Sequence, residues 1–86
     1  MNKTFFDNNY GVSIICNDFT QGVELAVLIG NISTHFVVDE EVYSGLSNEA
    51  IDSIIKDVSS RKPLSNLEVE KLYKEYKRVL NDYRVV

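Results

Sequence analysis

The chain has 86 residues, of which 44% are hydrophobic and 26% charged, so it can build one ordered domain and has no length for a second. Its single cysteine excludes an internal disulfide and favours a reducing compartment, which predicts a cytoplasmic protein; no run approaches the roughly 20 apolar residues of a membrane span. Residues 1–55 carry one base and eight acids, a net of −7, whereas residues 56–86 carry eight bases and five acids, a net of +3. This uneven distribution of charge along the chain indicates a surface that contacts a charged partner.

Three segments alternate between apolar and polar residues with a period of two, which is typical of strands with one buried face. They are residues 10–17, 23–29 and 32–38. A loop at residues 18–22 and a two-residue turn at Gly30-Asn31 would join them as hairpins. The pattern therefore predicts a three-stranded antiparallel meander, with Cys16 buried in its first strand. Residues 1–9 receive no element and are either flexible or folded back through Phe5 and Phe6.

After the strands the period changes to 3.6, which indicates two helices. Ser47 is the predicted N-cap of the first, and Leu46 with Ile51 would form a hydrophobic staple. Ser65 to Glu68 is a capping box, so the second helix is expected to begin at about residue 66 and to end near Tyr83.

These elements predict an α+β domain, in which a three-stranded antiparallel β-meander is followed by two α-helices packed on one face. Two helices on one face would leave the other face partly wet. Ile15, Leu28 and Val37 are expected on that second face, which is either a contact surface or covered by the N-terminal phenylalanines.

Chemistry-bearing motifs are lacking in this sequence. A nucleophilic Cys16 would have to be exposed and activated by a base such as His35, but it is expected to be buried in a strand. His35 would need Asp39 or Glu41 to hold a metal, and a single histidine on a strand is more often a hydrogen-bonded or surface residue. The four glycines are scattered through turns and form no phosphate-binding loop. We therefore predict no enzymatic activity, no catalytic residue, no cofactor and no metal site.

Two features remain as candidate binding residues. One is the acidic run Asp39-Glu40-Glu41, together with Glu24 on the second strand. The other is an apolar stripe along the second helix that includes Tyr73, Tyr76 and Tyr83, since tyrosine suits surfaces that are apolar at the ring and polar at the tip. The residues we expect to bind a partner are Glu24, Asp39, Glu40, Glu41, Tyr73 and Tyr76.

A short chain with a small sheet, helices, acidic loops at Asp18 and Asp39-Glu40-Glu41 and no catalytic set resembles the small phage-encoded inhibitors, including anti-CRISPR proteins that occupy a nuclease's DNA-binding groove. The resemblance is one of organisation and includes no sequence motif. It implies a stoichiometric inhibitor of a host or defence enzyme, whose carboxylates at Glu24 and residues 39–41 stand in for phosphates.

Three functions follow from these patterns. The preferred one is a non-enzymatic protein-binding module that acts through its acidic loops. The second is a self-associating accessory subunit, which would pair through the tyrosine stripe or an open sheet edge. The third is nucleic-acid binding through a basic helix face, which the net charge of −4 disfavours. That face comprises Lys71, Lys74, Lys77 and Arg78.

Overall fold

The computed structural model of the chain describes residues 2–17 and 22–84, with the side chains of all of these except Asn17 and residues 81–84. The predicted loop at residues 18–22, with Asp18, therefore lies outside the described residues except for Gly22. The side chain of Tyr83 lies outside them as well.

Four strands form one antiparallel sheet, in which each strand pairs with the next in chain order. They are β1 (Asn2–Phe5), β2 (Tyr10–Asn17), β3 (Gly22–Gly30) and β4 (His35–Leu46). The α+β class and the meander are confirmed, with one strand more than the pattern predicts. β1 pairs with β2 from Asn2 opposite Ile14 to Phe5 opposite Gly11, so residues 2–5 are an edge strand and not a flexible segment. Four residues are too few for alternation to reveal a strand.

The turn between β3 and β4 is longer than the two residues expected. The side-chain oxygen of Asn31 accepts hydrogen bonds from the backbone N–H groups of Ser33 and Thr34, each at 3.0 Å. This Asx turn keeps residues 31–34 out of the strand, so Ile32 is 81% exposed where alternation predicts a strand residue.

β4 continues through the acidic run, so Asp39-Glu40-Glu41 lies in a strand and not in a loop. Pairing with β3 is interrupted there, since Leu28 pairs with Val37 but Ala26 pairs with Val42. The extra residues of β4 form a bulge, which changes the directions in which neighbouring side chains point. Asp39 and Glu40 are exposed as a result, while Glu41 is half-buried.

Two helices follow, α1 (Asn48–Ser59) and α2 (Asn66–Arg84), and the predicted caps of both are present. Ser47 accepts a hydrogen bond from the N–H of Ala50 at 3.2 Å. Ser65 and Glu68 bond reciprocally, at 3.1 and 3.2 Å, as a capping box does.

One face of the sheet and α1 enclose the main core. Its fully buried members are Val12, Leu25 and Val27 of the sheet and Val58 of α1. Half-buried apolar residues complete it, among them Leu46 and Ile51, the two residues predicted as a staple. Burying the side chain of each fully buried valine or leucine contributes about 1.5–3 kcal/mol to the free energy of unfolding.

α2 lies on the opposite face of the sheet. Side chains alternate along a strand, so Leu28 points away from Val27 and onto this second face. Leu28 and Val37 share a depression with Tyr73 and Tyr76 of α2. The helices thus take opposite faces, whereas the sequence pattern predicts both on one. β3 is apolar on both faces, and each face needs cover.

Two asparagines in the turn after β1 hold the segment that links α1, on one face of the sheet, to α2 on the other. Asn8 is only 6% exposed, and its side-chain N–H group donates to the carbonyls of Val58 at 2.8 Å and Arg61 at 3.1 Å. Asn9 has a φ of 64°, a left-handed conformation that asparagine tolerates, and its amide donates to the carbonyl of Leu64 at 2.7 Å. Carbonyls at a helix end need partners outside the helix, and here the turn supplies them.

Asn8→Asp tests the hydrogen bonds from Asn8 to Val58 and Arg61 without changing the size of the side chain. The substitution removes both donated hydrogen bonds and places a carboxylate against two carbonyl oxygens, so we expect the free energy of unfolding to fall by about 2–4 kcal/mol. Urea denaturation followed by circular dichroism measures it. Asn48→Asp, at the exposed start of α1, is the matched control, and equal effects of the two substitutions would contradict the role of Asn8.

Candidate protein-binding surface

Helix α2 leaves much of its apolar stripe uncovered. Val69 is fully buried at its beginning, and Tyr73 and Tyr76 are half-buried. Large apolar side chains on both sides of these anchors are 37–42% exposed, namely Leu72, Val79 and Leu80. A surface helix normally turns such residues inward, so α2 offers apolar surface on two flanks.

Aromatic contacts attach α2 to β4. The ring of Tyr76 stacks on Phe36, with centroids 4.9 Å apart and an interplanar angle of 21°. Tyr73 approaches the same ring, with a centroid distance of 6.3 Å. Each pair in this range contributes about 0.5–1.5 kcal/mol beyond area burial. The two tyrosines expected to bind a partner therefore serve first to anchor the helix.

On the flank of α2 nearer the β4 edge lies a depression of about 300 Å³, here called the acidic groove. Leu72 and Val79 form its apolar side, and Asp39, Glu40 and Glu75 supply three carboxylates. Glu75 also accepts a hydrogen bond from Arg78 at 2.6 Å, but both side chains are mostly exposed, so the pair is weak. The acidic groove combines exposed apolar area with negative charge.

On the other flank lies a depression of about 470 Å³ between α2 and the second sheet face, here called the basic groove. Ile15 and Leu28 belong to its apolar floor, while Lys3, His35 and Lys77 supply its polar groups. Lys77 sits over the ring of Tyr73, with its Nζ atom 5.0 Å from the centroid.

His35 is held by its neighbours in one tautomer. Its Nδ1 atom lies 2.9 Å from the carbonyl oxygen of Asn31, which can only accept, so Nδ1 carries the proton. Its Nε2 atom then accepts from the Lys3 ammonium at 3.2 Å. Across residues 2–17 and 22–84, no three histidine, cysteine or acidic side chains come close enough together to hold a metal ion.

Glu41 is occupied by an ion pair. Arg61 donates to its two carboxylate oxygens at 2.9 and 2.5 Å and also to Asp57 at 3.0 Å. These hydrogen bonds from Arg61 hold the pKa of Glu41 below its ordinary value, against the opposing effect of partial burial, and they raise the pKa of Arg61. The pair clamps the β4 bulge to the end of α1, so Glu41 is a structural residue.

The structure therefore divides the six predicted binding residues. Asp39, Glu40 and Tyr76 meet in the acidic groove. Tyr73 lines the basic groove, and Glu41 is tied to Arg61. Glu24 is half-buried on β3 opposite Ile15, away from the acidic groove.

Sequence reasoning missed Leu72 and Val79 as surface residues, since their place in the apolar stripe predicts burial. It also missed Lys3, which lines the basic groove because β1 pairs with β2. Cys16, expected to be buried, is exposed, because it lies near the end of β2 beyond the residues that α1 covers.

Neither helix, over its described residues, is long and apolar enough to cross a membrane. No protein family, curated protein or solved structure matches the chain. Its function is therefore inferred from its own surfaces.

Glu41→Gln should make stability less dependent on pH. Because the folded-state pKa of Glu41 is lowered, its contribution is present above the unfolded pKa, ordinarily 4.5, and is lost as pH falls through the folded value. Near neutral pH we expect a loss of about 1–2 kcal/mol in unfolding free energy, shrinking to nothing in acid. Denaturant titrations over a pH series measure this. Glu40→Gln, at the exposed neighbouring position, is the control, and a loss that persists in acid would contradict the ion-pair explanation.

Proposed function

We propose that this protein is a non-enzymatic protein-binding module and that the acidic groove is its docking surface. One observation carries the proposal: Leu72 and Val79 are 40% and 42% exposed beside the carboxylates of the acidic groove. The two residues are seven apart, so they lie on one side of α2 two turns from each other. An apolar centre with a charged rim is the usual anatomy of a protein interface.

The acidic groove also defines the chemistry of its partner. Exposed carboxylates favour a protein with lysine or arginine at the rim of its own surface, since complementary charge speeds encounter and excludes wrong partners. Between those basic residues the partner should present an apolar side chain that contacts Leu72 and Val79. At about 300 Å³ the groove is at the lower end of small-molecule sites and suits the side chains of another protein.

The finer form of the proposal is a stoichiometric inhibitor of a host or defence enzyme, as the resemblance to small phage-encoded inhibitors implies. Its setting would be the cytoplasm, where an exposed cysteine such as Cys16 stays reduced. Phosphate mimicry has less support than apolar docking. Arg61 neutralises Glu41 and Glu24 lies elsewhere, which leaves Asp39 and Glu40 as the exposed carboxylates of the predicted set.

Capture from nuclease-treated lysate of the natural host, followed by calorimetry with the purified captured protein, tests the apolar part of the surface. Leu72→Arg with Val79→Arg should weaken binding at least tenfold, because it places two charges in the apolar centre of the interface. Ile32→Arg with Leu67→Arg is the matched control, since it adds the same two charges at residues that are 81% and 62% exposed but lie outside both grooves. Equal affinity of the two double variants would contradict the proposal.

The acidic part is tested separately by reversing charge. Asp39→Lys with Glu40→Lys should slow association and reduce its salt dependence, because exposed rim charges act mainly on the encounter rate. Asp52→Lys with Glu70→Lys changes the net charge equally at exposed helix positions. Stopped-flow association rates at two salt concentrations distinguish the pairs, and an equal slowing by both would show that only net charge matters.

A further inference from the structure

The second sheet face has room for another helix. Neighbouring strands lie about 4.8 Å apart and packed helices about 8–10 Å apart, so one helix covers about two strands. α2 packs on β4 and β3. On the other half of this face Ile15 of β2 is 37% exposed, and Lys3 of β1 is exposed as well. The basic groove lies over this half, which the described residues cover only in part, and α2 bounds it on one side.

The same chain carries a helix that fits this place. The outer flank of α2 has exposed apolar side chains at Leu72 and Val79 and carboxylates beside them in the acidic groove. The basic groove has an apolar floor and two ammonium groups, Lys3 and Lys77, and neither forms an ion pair with another residue that the structure describes. The two surfaces are complementary in both polarity and charge.

We propose that the protein self-associates head to tail, with the acidic-groove flank of α2 of one copy docked in the basic groove of the next. Leu72 and Val79 of the first copy contact the apolar floor at Ile15, and its rim carboxylates face Lys3 and Lys77 of the second. The inference rests on the proposed function, because it names a second copy of the chain as a partner of the acidic groove.

The position of the two surfaces determines the kind of assembly. They lie on opposite flanks of one helix, so a copy that docks on one surface leaves the other open to a further copy. Such a contact is heterologous, and it builds a ring or an open chain of copies instead of a two-fold dimer. The weight-average mass should therefore rise with concentration above twice the 9.8 kDa of one chain.

Sedimentation equilibrium from micromolar to millimolar concentration tests this with two complementary variants. Asp39→Lys with Glu40→Lys removes the acidic surface and keeps the basic one, and Lys3→Glu with Lys77→Glu does the reverse. All four side chains are exposed, and circular dichroism confirms that each variant folds. Each variant alone should be monomeric. An equimolar mixture should associate again and grow beyond a dimer, because the unchanged surfaces pair and the reversed surfaces, lysines on one variant and glutamates on the other, also attract each other.

Three results would overturn self-association: a wild-type chain that stays monomeric at millimolar concentration, a wild-type species that stops at a two-fold dimer, or a mixture that fails to pair. Ile15→Lys keeps the test sharp if the Lys3 variant does not fold, since it blocks the groove floor from the exposed side. A monomeric wild type that still binds a captured protein through Leu72 and Val79 would remove this inference alone. Loss of both kinds of binding would remove the proposed function with it.

Discussion

The side-chain amide of Asn8 determines how the two halves of the chain are joined. It is buried between the end of α1 and the start of β2, and its two N–H bonds satisfy carbonyls that the helix itself cannot satisfy. The neighbouring Asn9 binds the segment that leads into α2, and its carbonyl accepts from Gly30 at 2.7 Å. One turn therefore holds both helices and two strand ends together. Together with Arg61, which pairs with Glu41 of β4, this turn fixes the link at 60–65 that carries the chain to α2 on the second face.

Placing the helices on opposite faces gives them different roles. α1 closes the main core around Val27 and Val58, whereas α2 is anchored by Val69 and by the aromatic contacts of Phe36 and is otherwise exposed. The charge polarity of the chain is partly cancelled inside the fold, because Arg61 from the basic part neutralises Glu41 from the acidic part. What remains outside is a helix with an acidic groove on one flank and a basic groove on the other.

Sequence patterns predict the features of this fold that depend on interactions between residues close together in the chain. The alternation along β2 and β3 and the caps at Ser47 and Ser65 depend on neighbours within a few residues, so they could be derived from sequence. Interactions between distant segments could not. The two hydrogen bonds that the Asn8 side chain donates span 50 and 53 residues, and the Arg61 clamp on Glu41 spans 20. The candidate site depends on such contacts, which is why the sequence predicts Asp39, Glu40 and Tyr76 as binding residues but not Glu75, Leu72 or Val79.

The separation between the closed core and the open flanks of α2 affects how the protein can evolve. Substitutions at positions such as Leu72 or Val79, which are 40% and 42% exposed and lie outside the closed core, change recognition with a smaller effect on folding than substitutions in that core. A residue such as Val58 has no such freedom, since any change there opens a cavity or overfills the core. A lineage of this chain could therefore follow a changing partner by varying one helix, while the sheet and α1 stay almost constant.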